Sequence, residues 1–153
     1  MASTASHGIF GMNRRNRELV MRLNPAHAID LANDKIASKR ALELHGIPTP
    51  RLIADLHRAV DINAFVSMLR KLPEGFVIKP ARGAQGRGVN IFTHVLEDGT
   101  FLPISGDPMA KADFRHLIAS ILSGEFTSGR PQDSVLVEQR IHPDGDWVMA
   151  GLS

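Results

Sequence analysis

Apolar residues recur at helical spacing in two stretches of this chain. In the first, residues 61–75, the apolar positions are Ala64, Phe65, Met68, Leu69 and Leu72. In the second, residues 114–122, they are Phe114, Leu117, Ile118, Ile121 and Leu122. Apolar side chains three and four positions apart are typical of a helix with one face on a core. We therefore predict an amphipathic helix in each stretch, and the first has Asp61 as its cap and Pro73 with Gly75 at its end.

A third helix is indicated by end signals in the sequence ANDKIASKRALELHGIPTP, residues 32–50. Asn33 or Asp34 can cap its start, because a side-chain oxygen there accepts from the free N–H groups of the first turn. Gly46 fits the left-handed position after the last turn, and Ile47 is placed for the apolar contact that accompanies such an end. The proline that follows cannot continue a helix.

Short runs of β-branched and aromatic residues predict the strands. They are residues 76–79 (FVIK), 89–92 (VNIF) and 134–141 (SVLVEQRI), and residues 147–153 (WVMAGLS) look like the start of another. Asp98-Gly99 lies between apolar residues and is a strong hairpin-turn signal. Since hairpins replace a regular strand–helix–strand alternation, the pattern predicts an α+β fold.

Composition narrows the class of protein. The 153 residues are enough for one ordinary domain, and 43% hydrophobic with 22% charged residues is typical of a globular chain. No apolar run reaches the roughly 18 residues that span a bilayer, and the first 20 residues lack a secretory signal. The absence of cysteine excludes disulfides and thiol catalysis, so we expect a reducing cytoplasm. A net charge of +2 and 5% aromatic residues argue against an RNA-binding domain.

A glycine-rich loop follows the predicted strand FVIK, with glycines at positions 83, 86 and 88. It is not a Walker loop, which needs lysine and then serine or threonine after its last glycine, because Val89 and Asn90 follow Gly88. It is not a Rossmann loop either, because Gln85 occupies the second glycine position and no helix follows. What remains is a hairpin flap whose backbone N–H groups can close over phosphates.

Basic residues surround this loop. Lys79 ends the strand before the loop, whereas protein kinases place their phosphate lysine on the strand after it. Arg82 and Arg87 add positive charge beside the glycines. The alternative interpretation is a solvated surface turn, and the glycines alone do not decide between the two.

Three segments together resemble the ATP-grasp superfamily in order and spacing. They are NDKIASKRALELHGIPTPR, which opens with Asp-Lys, FVIKPARGAQGRGVNIF with its lysine and flap, and the strand SVLVEQRI. The N-terminal segment GIFGMNRRNRELVMRLNP narrows the resemblance, because it is similar to the start of bacterial alpha-L-glutamate ligase homologues, a sugar-transfer-associated branch. The resemblance runs from about Gly8 to about Ile141.

The resemblance implies a nucleotide site. It assigns Lys35 to the α-phosphate of ATP and Lys79 to the α- and β-phosphates. It places the flap tip against the outer phosphates, the backbone carbonyl of Glu138 on the adenine amino group and the N–H of Ile141 on a ring nitrogen. The implied tip residues are Gly83, Ala84, Gln85 and Gly86. Ile78, Val89 and Val137 would sandwich the purine, and Asp144 or Asp146 would meet the ribose.

The resemblance also implies a reaction class and an organisation. ATP-grasp ligases activate a small-molecule or peptide carboxylate as an acyl-phosphate and join it to an amine, with Mg²⁺ held by carboxylates on later strands. We expect an incomplete ATP-grasp fold, with a helical lead-in over residues 1–60 and a nucleotide-binding subdomain over 61–153. This subdomain ends just after SVLVEQRI, which resembles the hinge strand that receives adenine in the family. We accordingly expect this chain to bind ATP without turning it over. The alternative is a non-catalytic nucleotide-binding or interaction module.

Each single residue has a plainer interpretation. Lys35 on a first helical turn can be solvated, and Glu138 can face water from an edge strand. Asp144 and Asp146 flank Gly145 and can simply form a turn. A solvated helix face suits the arginines at positions 14, 15 and 17, and the seven histidines lack the spacing of a transition-metal site.

Overall fold

The computed structural model describes residues 11–127 and 131–142 of the chain. The N-terminal part is helical and the remainder alternates between strands and helices. In chain order the elements are α1 (Met12–Arg15), a π-helical turn (Asn16–Val20), α2 (Met21–Leu23), α3 (Ala26–Asn33), α4 (Lys35–Leu44), β1 (Leu52–Leu56), α5 (Ile62–Leu69), β2 (Phe76–Pro80), β3 (Asn90–Val95), β4 (Phe101–Pro103), α6 (Lys111–Leu122) and β5 (Val135–Gln139). This mixed α and β composition confirms the fold class at that level.

The five strands form one antiparallel sheet in the order β1-β5-β2-β3-β4. The last described strand therefore lies between the first and the second. The hairpin between β3 and β4 has the predicted Asp98-Gly99 turn, with Leu96 N–H donating to Thr100 O at 2.8 Å and Gly99 at a φ of 89°. Glycine suits this position of the turn because it adopts a positive φ at little cost.

One face of the sheet carries the hydrophobic core. Because strand side chains alternate between faces, Phe76 and Ile78 of β2 point to this face, where α5 and α6 pack on them. Phe114 of α6 stacks on Phe101 with ring centroids 3.7 Å apart, and Phe92 meets Phe114 edge-on at 5.7 Å. Burying each such ring contributes roughly 2–3 kcal/mol, so this face dominates the stability of the fold.

The two amphipathic helices are present, and one prediction of their buried faces is wrong. On α6, Phe114, Ile118 and Ile121 are buried as expected. On α5 the buried residues are Ile62, Phe65, Val66 and Leu69, whereas Ala64 is exposed. The apolar residues of this segment can form two neighbouring stripes along the helix. The stripe that packs on the core is the one with the larger side chains of Ile62 and Val66.

Helix α4 begins and ends at the predicted signals. Its cap is Asp34 and not Asn33, since the Asp34 Oδ1 atom accepts from the N–H groups of Ile36 and Ala37 at 3.1 and 3.0 Å. Gly46 has a φ of 69°, and the Ile47 N–H donates to Leu42 O at 3.0 Å. The helix is thereby fixed at both ends.

Strand β1 was not predicted, because LIADL mixes apolar and polar residues without alternation. It pairs with β5, with Leu52 opposite Glu138 and Ala54 opposite Val137. It precedes residue 60 and pairs with a strand that follows it, so the sheet continues across the position of the predicted domain boundary. The predicted strand at 147–153 and the candidates Asp144 and Asp146 lie outside the described residues.

The second face of the sheet is covered only in part. Ile36 of α4 packs there with Ala81, Leu136 and Leu52. This contact places the start of α4 beside the end of β2, where the glycine loop begins. No helix within residues 11–127 and 131–142 is long and apolar enough to cross a membrane.

Candidate functional site

Two lysines and a glutamate meet on the second face of the sheet. Lys79 of β2 and Glu138 of β5 lie on this face, because each is offset by one position from a residue of the hydrophobic core. The Lys79 ammonium forms a direct ion pair with Glu138 Oε1, and Lys39 Nζ lies 3.1 Å from Glu138 Oε2. Glu138 and Lys39 are buried, whereas the Lys79 side chain is 24% exposed. The alternative in which Glu138 faces water from an edge strand is therefore wrong.

Sequence reasoning missed Lys39. Its three ammonium hydrogens all have partners: Glu138, the Thr49 hydroxyl at 3.0 Å and the backbone carbonyl of Pro50. A lysine is rarely buried unless it is paired, so this arrangement marks a built polar site. The available signal was position, since Lys39 lies one turn after Lys35 on α4 and thus on the same side of the helix.

Lys79 has spare donor capacity. Glu138 is its single hydrogen-bond or ion-pair partner within the part of the chain that the structure describes. An ammonium group has three donors, so two remain for a ligand. Of the three lysines near this face, Lys79 is the most available to an anion.

Lys35 contacts the base of the glycine loop. Its backbone N–H donates to Ala81 O at 2.9 Å, and its ammonium donates to Ala81 O at 3.4 Å and to the carbonyl of Gly83. Burial lowers the pKa of this ammonium below the ordinary 10.5, and the charge of Lys79 adds to the lowering, while Asp133 and Asp34 oppose it. Lys35 is thus not a freely solvated residue, and its contact with an α-phosphate stays a prediction.

The tip of the glycine loop is exposed over residues 84–87. The structure gives no acceptor, among the residues it describes, to five backbone N–H groups in this loop: those of Gly83, Ala84, Gln85, Gly86 and Gly88. Gln85, Gly86 and Gly88 have φ values of 58°, 72° and 73°. Successive free N–H groups in such a left-handed turn form a concavity that suits an anion.

Two of the glycines are required by packing. A Cβ atom on Gly88 would lie 2.8 Å from the ring of Phe126, and one on Gly83 would lie 2.9 Å from the ring of Pro80. A Cβ on Gly86 would meet nothing within 4 Å. The loop is therefore packed at both ends and open at its tip.

The predicted purine contacts are partly wrong. Ile78 and Val137 are fully buried in the core shared with α5 and α6, on the face opposite Lys79. A short apolar run does not reveal which strand positions face which side of the sheet. The prediction therefore placed Ile78 and Val137 on the face of Lys79, whereas they lie on the opposite face. Val89 is 40% exposed and remains accessible.

The hinge region borders an open cavity of about 600 Å³. Ile141 lines it and is 65% exposed, with Arg51, Arg140 and His142 around it. The backbone of Glu138 lies within the ladder, opposite Leu52 on one side and Val77 on the other. The cavity volume is in the range of small-molecule sites.

The structure does not provide a metal site in the part of the chain that it describes. No group of three or more His, Cys, Asp or Glu side chains there could hold a metal ion. The resemblance places the Mg²⁺ ligands on later strands, and we derive no step through a metal.

Comparison with known proteins identifies the family of this chain. A family model described as sugar-transfer associated ATP-grasp matches residues 14–149, and the chain belongs to that family of the ATP-grasp superfamily. A D-alanine–D-alanine ligase of Ralstonia pickettii (strain 12J) is 34% identical over 95 residues, which is 62% of this chain. The match spans about a quarter (26%) of that relative's length.

Proposed function

We propose that this chain binds ATP on the sheet face that carries Lys79 and Glu138, as the nucleotide-binding part of an ATP-dependent carboxylate–amine ligase. The observation that carries the proposal is the set of five loop N–H groups without an acceptor in the described part of the chain, in a loop that starts directly after the strand of Lys79. Backbone donors and ammonium groups are the ordinary partners of phosphate oxygens.

The lysines divide the phosphate charge between them. Counting partners among the described residues, Lys79 has two free ammonium donors and Lys35 has one, so each can donate to a phosphate oxygen without giving up its protein partner. Lys39 keeps Glu138 neutralised, which prevents that carboxylate from repelling the ligand. The loop N–H groups of Gly83, Ala84, Gln85 and Gly86 meet the outer phosphates.

The base of the nucleotide lies toward the hinge. Ile141 lies at the open cavity there, and its N–H group is free to meet a ring nitrogen, since no described residue accepts from it. We leave the Glu138 backbone carbonyl out of the proposed base contacts, because the backbone of Glu138 is paired in the ladder between β1 and β2. Val89 offers an accessible apolar contact to the purine.

We further propose that the whole protein forms an acyl-phosphate from a carboxylate substrate and the γ-phosphate of ATP, with ADP as the leaving group. An amine then attacks the acyl carbon and releases phosphate. The ligase relative supports this reaction class, and a glutamate-type acid is the substrate that the family resemblance favours. Within it, residues 11–142 bind and orient the nucleotide, and we propose that the 153-residue chain does not itself turn ATP over.

Calorimetric titration with ATP tests the binding proposal. Wild type is expected to bind, and Lys79→Ala is expected to weaken binding at least tenfold, because a charge-assisted phosphate contact contributes about 1.5–3 kcal/mol. Lys71→Ala, at an exposed lysine, is the matched control and should bind as wild type does. Equal affinities of the Lys79 and Lys71 variants for ATP contradict the proposed site.

A phosphate-release assay on the same three proteins tests the absence of turnover. No release above background is expected from any of them. Release by wild type that Lys79→Ala abolishes contradicts that part of the proposal.

A further inference from the structure

The base of the glycine loop is held much more firmly than its tip. Ala81 N–H donates to Ser134 O at 2.9 Å, and Ala81 O accepts from the backbone N–H of Lys35. The Arg82 N–H donates to the Asp133 carboxylate at 3.1 Å. These bonds attach two successive loop residues to α4 on one side and to the turn before β5 on the other.

Asp34 joins the start of α4 to this loop base. One of its oxygens caps the helix, and the other accepts from the Arg82 guanidinium at 2.6 Å. The two side chains are 19% and 29% exposed, so solvent screens the ion pair only in part. The guanidinium of Arg82 is thus occupied by a protein carboxylate, although its charge alone would suggest a phosphate partner.

Asp133 supports the same residue from the other side. It is 8% exposed, and besides the Arg82 N–H it accepts from the Ser134 N–H at 2.7 Å and from the Thr127 hydroxyl. Three donors offset the cost of burying this carboxylate. Arg82 is therefore fixed through its backbone by Asp133 and through its side chain by Asp34.

We propose that Asp34, acting through Arg82, is a positioning residue that fixes the glycine loop so that its free N–H groups meet the phosphates of ATP. The inference rests on the proposed function. Asp34 itself does not touch the phosphates, since two like charges in contact would repel. Its effect is pre-organisation: a loop already held in the bound geometry loses less conformational entropy when the ligand arrives.

The substitution Asp34→Asn separates this role from helix capping. Asparagine caps a helix about as well as aspartate, so α4 keeps its start, but the charge that pairs with Arg82 is lost. Arg82→Gln removes the other partner, and the double variant closes a thermodynamic cycle. Arg40→Gln is the matched control, because Arg40 on the same helix makes an equally short bond, 2.6 Å, to Asp55 away from the loop.

Binding of ATP and of adenosine to the full chain, measured by calorimetry, is the first readout. Asp34→Asn and Arg82→Gln are each expected to weaken ATP binding roughly five- to tenfold, and the double variant no further than either single one. Adenosine, which lacks phosphates, should bind all variants as it binds wild type. Arg40→Gln should leave both ligands unaffected.

Several outcomes overturn the inference. Unchanged ATP affinity in Asp34→Asn does so, as do additive losses in the double variant. Equal losses for ATP and adenosine indicate a general structural defect and overturn it too. If wild type itself binds no ATP, the proposed function fails, and amide hydrogen exchange at Ala81 and Arg82 then decides the remaining question. Faster exchange there in Asp34→Asn supports the fixing of the loop base by Asp34, and unchanged exchange overturns it.

Discussion

Lys79 and Glu138 come from neighbouring antiparallel strands and form a direct ion pair on the sheet face opposite the phenylalanine core. Lys39 approaches the same carboxylate from α4. The glutamate thus has two cations of different exposure, one buried and one open to a ligand. This difference allows the structural and binding roles of the two lysines to be separated by experiment.

We predict that Lys39→Met destabilises the fold by about 3 kcal/mol. It leaves the Thr49 hydroxyl and the Pro50 carbonyl without their donor and weakens the neutralisation of a buried carboxylate. Lys79→Met should cost only about 1 kcal/mol, because Lys39 still pairs with Glu138. Urea denaturation measures the free energy of unfolding of both variants. Equal losses in the two contradict the structural role that we assign to Lys39.

Gly86 at the open tip of the loop and Gly88 at its packed end should respond differently to alanine. Gly86→Ala is expected to cost about 1 kcal/mol, since only its positive φ opposes a Cβ atom. Gly88→Ala adds a contact of 2.8 Å with the Phe126 ring and should cost roughly 3 kcal/mol. Thermal unfolding of the two variants side by side is the test, and a Gly86 variant as unstable as the Gly88 variant argues against an open tip.

The lowered pKa of Lys35 predicts a pH dependence of stability. Between this lowered pKa and 10.5, the unfolded chain binds the Lys35 proton more tightly than the folded chain does. The free energy of unfolding of wild type relative to Lys35→Met should therefore rise with pH across that window. Urea denaturation between pH 8 and 10.5 measures the difference, with Lys71→Met as the control for loss of a positive charge. A constant or falling difference contradicts the burial of this ammonium.

Phe114 is expected to be the most sensitive position of the core. It is fully buried and contacts three other phenylalanine rings, so Phe114→Ala should cost about 3–5 kcal/mol. Leu117→Ala on the same helix, at a partly buried position, should cost about 1–2 kcal/mol. Chemical denaturation measures both free energies of unfolding. Equal losses in the two variants would contradict the central position of Phe114 in the core.

The elements that were predicted correctly have local causes. Helix α4, the amphipathic helices and the Asp98-Gly99 hairpin follow from caps, periodicity and turn residues within a few positions of each other. The errors concern burial, which local sequence does not specify. Lys39 resembles any polar helix residue until the sheet covers it, and the facing of Ile78 and Val137 depends on which side α5 and α6 occupy.

In the candidate site, too, the local features were predictable and the contacts between distant residues were not. Lys79 and the glycine loop could be found from a contiguous motif, whereas the Asp34–Arg82 pair joins residues far apart in the chain. Nothing in the spacing of these two residues indicates that they meet. They do so because Ile36 and Leu136 pack together and bring α4 against the end of β2.

The position of β5 between β1 and β2 has a consequence for biosynthesis. While the ribosome has released only the first 130 residues or so, β1 and β2 have no strand between them, and each presents an unpaired edge of backbone donors and acceptors. The contacts that join them are of long sequence range and form slowly. The nascent chain therefore depends on β5 to pair both open strand edges. Since β5 also carries Glu138, the proposed ATP site is completed in the same step that removes these aggregation-prone edges.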